Sequence, residues 1–445
     1  MTVLSGHRLA RLVADRTGQP ALGHDADVVG RVLPFTLGSH AADLLVDWSR
    51  GPDDPLYRLL VPHRDLLAPA DFSAVERTLR DGDADRLRLV VDGLRERLDP
   101  HPAGRDPWDV RHTYPGTLHV LPDRGRTCPA HCASCLRPTR FAGDPARRAA
   151  REGPAAMAAR LTRHPEITDV LLDGEDPLAL RARDLDAYLS PLLACPRVRS
   201  IRIATTAVVH APERFLRTAD GAATADDADD LLRLLERVVA TGRRLSLLVR
   251  VSHPRELDPV PTRRAVARIQ ATGAVIRTRL PVLRRVNDDA GVWARMWRAQ
   301  SALGLVPHRV LVERGAGARR CFGLPLAEVL DVHTEGVRRR DGAGATRGPE
   351  VPTAYGPGAA DTLSSPVMST ELGALAVDGV VRRRQGPAFA LRVLRARDPG
   401  LVGAVAYARF DPAARWWDEL VPYGPGDRTV IPGGRLTPED VTGGA

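Results

Sequence analysis

"LSLLVRVSHPRELDPVPTRRAVARIQATGAVIRTRL", residues 245–280, runs from a β-rich apolar segment through a helical one and back to a second β-rich segment. LSLLVRV (245–251) and AVIRTRL (274–280) carry the branched residues that suit strands, and AVARIQATG between them spaces its apolar residues like a helix and ends on a glycine. Working outward, the same alternation recurs. TLHVL (117–121), DVLL (169–172) and SIRIAT (200–205) precede this unit and RVLV (309–312) follows it, with helical stretches such as AGVWARMWRAQSALGL between. Six β-α alternations predict a parallel sheet with right-handed crossovers, a TIM-like barrel or part of one. In such a barrel the chemistry sits on the loops after the strands' C-terminal ends.

The flanks read differently. Residues 1 to about 105 form an N-terminal helical extension, in which DFSAVERTLRDGDADRLRLVVDGLRERL (71–98) shows helical spacing broken by a Gly-Asp turn. RRRDGAGATRGPE (338–350) reads as a linker or flexible loop into the tail. The expected division is therefore 1–105 extension, 106–345 α/β partial barrel, and 346–445 a C-terminal segment covering it. No stretch is long and apolar enough for a membrane span, and MTVLSGHRLARLVADRTG lacks the apolar run of a signal peptide, so a cytoplasmic protein without a membrane partner is expected.

The net charge of +9 raises nucleic-acid binding. Against it, all 64 basic residues are arginine, with no lysine in the chain, and the wealth of Ala, Gly, Pro and Val points to a compositional bias. The charges are also interspersed with acids, and TADGAATADDADDLL (218–232) is strongly acidic. A mixed solvated surface with no nucleic-acid partner is expected. Five cysteines, three of them clustered, suit a reduced metal-binding chain better than a disulfide framework.

The cluster is RTCPAHCASCLRPTRFAG (126–143), which places Cys128, Cys132 and Cys135 as Cys-x3-Cys-x2-Cys directly after the first predicted strand. Thiolates are soft ligands that select zinc, copper(I) or iron-sulfur clusters. A structural zinc wants four ligands, and His131, wedged between two of the cysteines, closes a tetrahedron awkwardly. A four-iron cluster held by three cysteines leaves one iron open to another ligand.

This loop, following the first strand of a β/α barrel, resembles that of the radical S-adenosylmethionine (SAM) superfamily. The resemblance implies a 4Fe-4S cluster whose open iron takes the amino and carboxylate groups of SAM, and a 5′-deoxyadenosyl radical that removes hydrogen from a substrate. Further segments between Leu33 and Phe410 are similar to the lysine 2,3-aminomutase family: DPL (54–56) with Pro62, RHTYPGT (111–117), CLRPTRFAG (135–143), DVLLDGEDPL (169–178), IRIATTAVVHAPERF (201–215), SHPREL (252–257) and RRVNDD (284–289). The implied substrate is a small amino-acid-like molecule, and the implied partner an electron donor such as ferredoxin or flavodoxin.

The resemblance also assigns roles. Arg137 falls where the family's arginine holds the substrate carboxylate, a task suited to a planar fork. Gly174, Glu175 and Asp176 fall where the backbone receives the SAM amino group, with Glu175 in place of a glycine. His253 is a cofactor-side candidate or a turn residue. The family's aminomutases bind pyridoxal phosphate (PLP) through a lysine imine; here Ser364 stands at that position, and Thr113 and Thr117 replace phosphate-contacting arginines, so PLP is not expected. The family's pair of ammonium-holding aspartates becomes Arg314 and Pro357, which disfavours a substrate with a distal ammonium. The inter-subunit zinc cysteines are absent, with Asp289 at one position, which leaves a homo-oligomer open but unsupported by that device. Cys321, after the sixth predicted strand, is a candidate to return a hydrogen atom; a small buried hydrophobe is the other reading. The expected reaction is a PLP-independent epimerisation, dehydrogenation or rearrangement. An aminomutase with non-covalent PLP, and a non-catalytic iron-sulfur or zinc protein, are the alternatives.

Overall fold

Two short strands, β1 (Val3–Ser5) and β2 (Thr36–Gly38), pair antiparallel at the edge of a helical N-terminal region. Three residues are too few for an alternating pattern to show in the sequence. Around them lie α1 (Gly6–Thr17), α2 (Pro20–Val32), α3 (Pro55–Leu60), α4 (Pro69–Asp81) and α5 (Ala84–Leu98). Helix α4 starts on a proline, which has no amide hydrogen to leave unbonded, and buries Phe72, Val75 and Thr78 on one face. It stops at Gly82, whose φ of 71° is a left-handed conformation that favours glycine. The computed structural model describes residues 3–33, 35–98, 114–122, 128, 133, 153–174, 176–217, 227–315, 317–341, 365–370 and 373–431.

The six expected strands are present as β3 (Thr117–Val120), β4 (Asp169–Leu172), β5 (Ser200–Thr205), β6 (Arg244–Arg250), β7 (Val275–Val282) and β8 (Val306–Val312). Each is parallel to the next in sequence order. The crossovers carry α6 (Pro154–Arg163), α7 (Ala182–Ala194), α8 (Ala207–His210), α9 (Ala228–Ala240), α10 (Val260–Ala271) and α11 (Ala290–Ala302), and α12 (Leu326–Asp341) follows β8. Strand alternation sorts the two faces. Ile201, Ile203, Leu245, Leu247 and Val249 join the core shared with these helices, whereas Arg202 and Arg250 alternate with them and face the other way. The first four residues of the expected linker are instead the last turn of α12, where Arg338, Arg339 and Arg340 sit favourably at the helix's negative end.

The C-terminal segment adds four strands to the same sheet. Strand β9 (Val367–Ser369) pairs parallel to β8, and β10 (Gly373–Arg383), β11 (Gly386–Ala396) and β12 (Val405–Arg409) continue as an antiparallel meander. The sheet curls until its far side meets its first strand: Arg395 of β11 donates to Thr117 Oγ1 of β3 at 2.9 Å and stacks over Tyr114 at 4.5 Å. No helix among the described residues is long and apolar enough to cross a membrane.

A second hydrophobic core belongs to the N-terminal region, and residues from the barrel close it. Leu9, Val29, Leu60 and Phe72 pack with Leu283 and Val286 after β7, Phe322 after β8 and Ala133 of the cysteine segment. Fully burying a side chain such as Phe322 is worth roughly 2–3 kcal/mol. The helical region is thereby seated over the C-terminal ends of the strands, the face on which a barrel carries its site.

Candidate functional site

The cysteine segment is held through its own backbone by contacts to the N-terminal region. The carbonyl oxygen of Cys128 accepts from Thr36 Oγ1 of β2 at 3.1 Å, and the Ala133 amide donates to the Leu59 carbonyl of α3 at 2.7 Å. Cys128 is half-buried and forms no disulfide among the described residues. Cys132, Cys135, Arg137 and Glu175 lie outside the described residues. Among the described residues no three His, Cys, Asp or Glu side chains gather as a metal site. The fit of an iron-sulfur cluster therefore rests on the donor chemistry: three closely spaced thiols on a segment tethered beside the barrel's C-terminal face.

The loop after β4 is built around two carboxylates. Asp173 Oδ1 accepts the Gly174 amide at 2.8 Å, and its Oδ2 lies 3.2 Å from His119 Nε2 on β3. Gly174 has φ +115°, a conformation that side-chain-bearing residues rarely adopt. Asp176 is buried, and its side chain is fully engaged. It accepts from the Leu178 amide at 3.1 Å, Thr205 Oγ1 at 2.6 Å, the Thr206 amide at 2.7 Å and the Ala207 amide at 2.8 Å. Burial raises the Asp176 carboxyl above its ordinary value against the pull of these donors. Asp176 thus ties the β4 loop to the β5 loop, and a ligand at this loop would meet backbone rather than this carboxylate.

His253 caps the turn after β6. Its Nδ1 accepts the Arg255 amide at 3.3 Å, while Glu256 reaches back to the amides of Ser252 at 2.6 Å and His253 at 2.8 Å. Glu256 also pairs with His210 Nε2 at 2.7 Å, with both side chains buried. Burial pushes the His253 imidazole down to about 4. The turn geometry is what this histidine visibly serves. Asn287, from RRVNDD, laces the next loops by donating to the carbonyls of Ser252 and Pro281 at 2.7 and 2.8 Å while accepting the Leu283 amide at 2.7 Å.

At the mouth above β6 and β8, the sequence reading missed a buried acid between two arginines. Glu313 accepts from Arg319 at 2.9 Å and from Arg250 at 3.2 Å. For Glu313 the signal was a charged residue placed directly after the last apolar residue of RVLV, where a barrel side chain turns toward the site; Arg250 was hidden inside the run LSLLVRV. Arg314, next in the chain, pairs instead with Asp418 of the C-terminal segment at 2.9 Å, both side chains about 40% exposed. Cys321 ends the short helical turn Gly317–Cys321 and is half-buried against the N-terminal core, where burial pushes its thiol up to about 11. Gly174, Asp176, His253, Arg314 and Cys321 all follow strand C-terminal ends, on the cysteine segment's side of the sheet.

No family model matches the chain. Among curated proteins it is similar to the "Putative L-lysine 2,3-aminomutase" of Aquifex aeolicus, 28% identical over 376 residues that cover 84% of each chain. It is also similar to the L-lysine 2,3-aminomutase of Fusobacterium nucleatum, 24% identical over 318 residues, covering 69% of this chain and 68% of that one. Among solved structures, Streptococcus suis SuiB bound to precursor peptide SuiA covers 68% of this chain and 66% of its own at 10% identity. Its TM-score of 0.35 marks a superposition too loose to add to the strand order.

Proposed function

Because the chain belongs to the lysine 2,3-aminomutase family, within the radical SAM superfamily, we propose that it is a radical SAM enzyme acting on an amino-acid-like substrate without PLP. The observation that carries this reading is the cysteine segment, tethered through Cys128 and Ala133 to the helical region seated over the strands' C-terminal ends. Cys128, Cys132 and Cys135 would hold the cluster. When bound, a 4Fe-4S cluster with an open iron supplies the electron that cleaves SAM to methionine and a 5′-deoxyadenosyl radical.

The chain's own residues shape binding and the fate of the substrate. The Gly174 loop offers backbone to the SAM amino group, because the Asp176 side chain is spent on protein donors. Arg137 is assigned to the substrate carboxylate. Cys321 keeps its proton at neutral pH, since burial raises its thiol, and the S–H form is the one from which a hydrogen atom can leave. The residues present do not fit a PLP anchor, as the chain has no lysine. Without an imine to carry a migrating nitrogen, epimerisation, dehydrogenation or another rearrangement is the favoured outcome. A ferredoxin or flavodoxin would supply electrons.

Anaerobic reconstitution tests the assignment. The wild-type protein should take up one four-iron cluster and release 5′-deoxyadenosine from SAM, and Cys132→Ala should do neither. Full iron content with undiminished release in that variant would sink the assignment. Cys321→Ala should stop turnover of substrate while sparing SAM cleavage; a normal product still carrying solvent deuterium would reject the hydrogen-donor role. Activity strictly dependent on added PLP would restore the amino-shift reaction.

A further inference from the structure

We propose that the opposite mouth of the barrel, where its strands begin, is a binding site for a small polyanion carrying two or more linked phosphate groups. A cavity of about 700 Å³ opens there, bordered by the strand starts at Thr117, Asp169, Ser200, Arg244 and Val275. The six residues of β5, at about 3.3 Å each, put it roughly 20 Å from the loops that carry the candidate active site. The site stands independently of the function proposed above.

Its chemistry is one-sided. Seven arginines line the cavity, and among the described residues Asp169 is the one acid there. That acid is already committed: both oxygens of Asp169 take the Arg202 guanidinium, and Thr117 donates to it at 3.1 Å. Arg202, Arg277, Arg309 and Arg395 reach the cavity from three parallel strands and from β11. The Arg309 Nε–H is buried with no acceptor among the described residues. Burial and the charges of Arg279, Arg395 and Arg202 push the Arg309 guanidinium down to about 10. The same surroundings push His308 down to about 2, so it adds no charge of its own. Arg199 and Arg244 continue the positive surface at the exposed rim.

Like charges gathered in a partly dry cavity repel one another, because the low dielectric screens them weakly. An anion that neutralises them turns that cost into affinity, and guanidinium forks match phosphate oxygens bidentately. A single phosphate offsets only part of the surplus, which favours a ligand with linked phosphates. Among the described lining residues the aromatic rings are Tyr114, which Arg395 already covers at 4.5 Å, and the His308 imidazole, set among arginines. Seven arginines against two rings make the phosphate chain the recognised part. By gathering Arg395 with arginines of β5, β7 and β8, the ligand would also fasten the C-terminal strands across the barrel.

Isothermal titration of the full-length protein, without reconstitution, with inorganic triphosphate, ATP and single-stranded RNA in parallel cells tests this site. Triphosphate should bind in the micromolar range and ATP no more tightly, with affinity falling as salt rises. Arg309→Gln should weaken triphosphate by about tenfold or more. Its unliganded melting temperature should equal or exceed that of wild type, because a repulsion has been removed. Should that variant fold poorly, the exposed rim pair Arg199→Gln/Arg244→Gln should still weaken binding about threefold. SAM cleavage by reconstituted protein should be unchanged in either variant, which separates a failure here from a failure of the active-site reading. No heat of binding with triphosphate, undiminished affinity in the variants, or a preference for RNA would overturn the proposal.

Discussion

Asp54 and Arg255 form an ion pair across 201 positions of sequence, joining the start of α3 to the turn after β6. Asp54 is fully buried and also caps α3 by accepting the Tyr57 amide at 2.8 Å; Arg255 reaches on to the Leu45 carbonyl. Two short motifs that stood out in the sequence, DPL and SHPREL, are thus two halves of one clamp between the helical region and the barrel. Arg255→Ala would abandon a buried carboxylate and should cost about 3 kcal/mol in urea unfolding. Asp54→Asn in the same chain should recover part of that loss, giving a coupling above about 1 kcal/mol in a double-mutant cycle. Strictly additive losses would show that the pair contributes nothing as a pair.

Two buried histidines should make the protein acid-labile well above the carboxylate range. Burial lowers His63, aided by the Arg58 charge, and burial lowers His253, each from 6.5 to about 4. Between those values the unfolded chain binds protons that the folded chain refuses, so stability falls as pH drops from 6.5 toward 4. Each histidine contributes up to about 1.4 kcal/mol per pH unit in that window. Urea midpoints measured across the window should show a slope that His63→Gln reduces by about half this pair's share. An unchanged slope would mean that His63 is protonated in the fold.

Gly174 carries φ +115° in the loop assigned to the SAM amino group. An alanine there meets only Leu121 at ordinary contact distance, so its cost is backbone strain, about 1–3 kcal/mol, rather than a clash. The loop should relieve that strain by shifting its backbone. Gly174→Ala should therefore keep the fold and lose SAM affinity, measured by equilibrium dialysis on cluster-loaded protein, by about tenfold or more. Full affinity would remove this loop from the cofactor's surroundings.

The parallel strands were legible because each is an apolar run bounded by a turn or a helix; DVLL and SIRIAT match β4 and β5 residue for residue. Strands β10 and β11 were not recognised. Asp378, Arg382 and Arg383 interrupt the apolar run of β10, and Arg392 and Arg395 interrupt that of β11, although a tight turn between Arg383 and Gly386 joins the two. The site was legible as a set of loops and not as a set of roles. Asp176, His253 and Asn287 stand in motif segments of the sequence, yet their side chains hold one loop to the next. A motif marks which residues stand together, and a strut can stand in one as readily as a ligand. The basic mouth was hidden for another reason: its arginines are scattered from Arg199 to Arg395 and converge only when the sheet curls.

Arg314 offers the sharpest test of substrate charge, because its partner is known. Asp418 sits 2.9 Å away with both side chains about 40% exposed, so the pair is screened and its net charge is near zero. Arg314→Ala should then change stability by less than about 1 kcal/mol. Its effect on a bound ammonium is also blunted by Asp418: at about 4 Å and an effective dielectric of 20, each charge contributes roughly 4 kcal/mol of opposite sign before screening. Removing the acid should uncover the arginine. Asp418→Asn should therefore widen the preference for a neutral or anionic amino acid over lysine, and Arg314→Ala should narrow it, each by several-fold in binding assays with SAM present. Lysine bound best by the wild type, with neither substitution changing the order, would place Arg314 outside the substrate's reach.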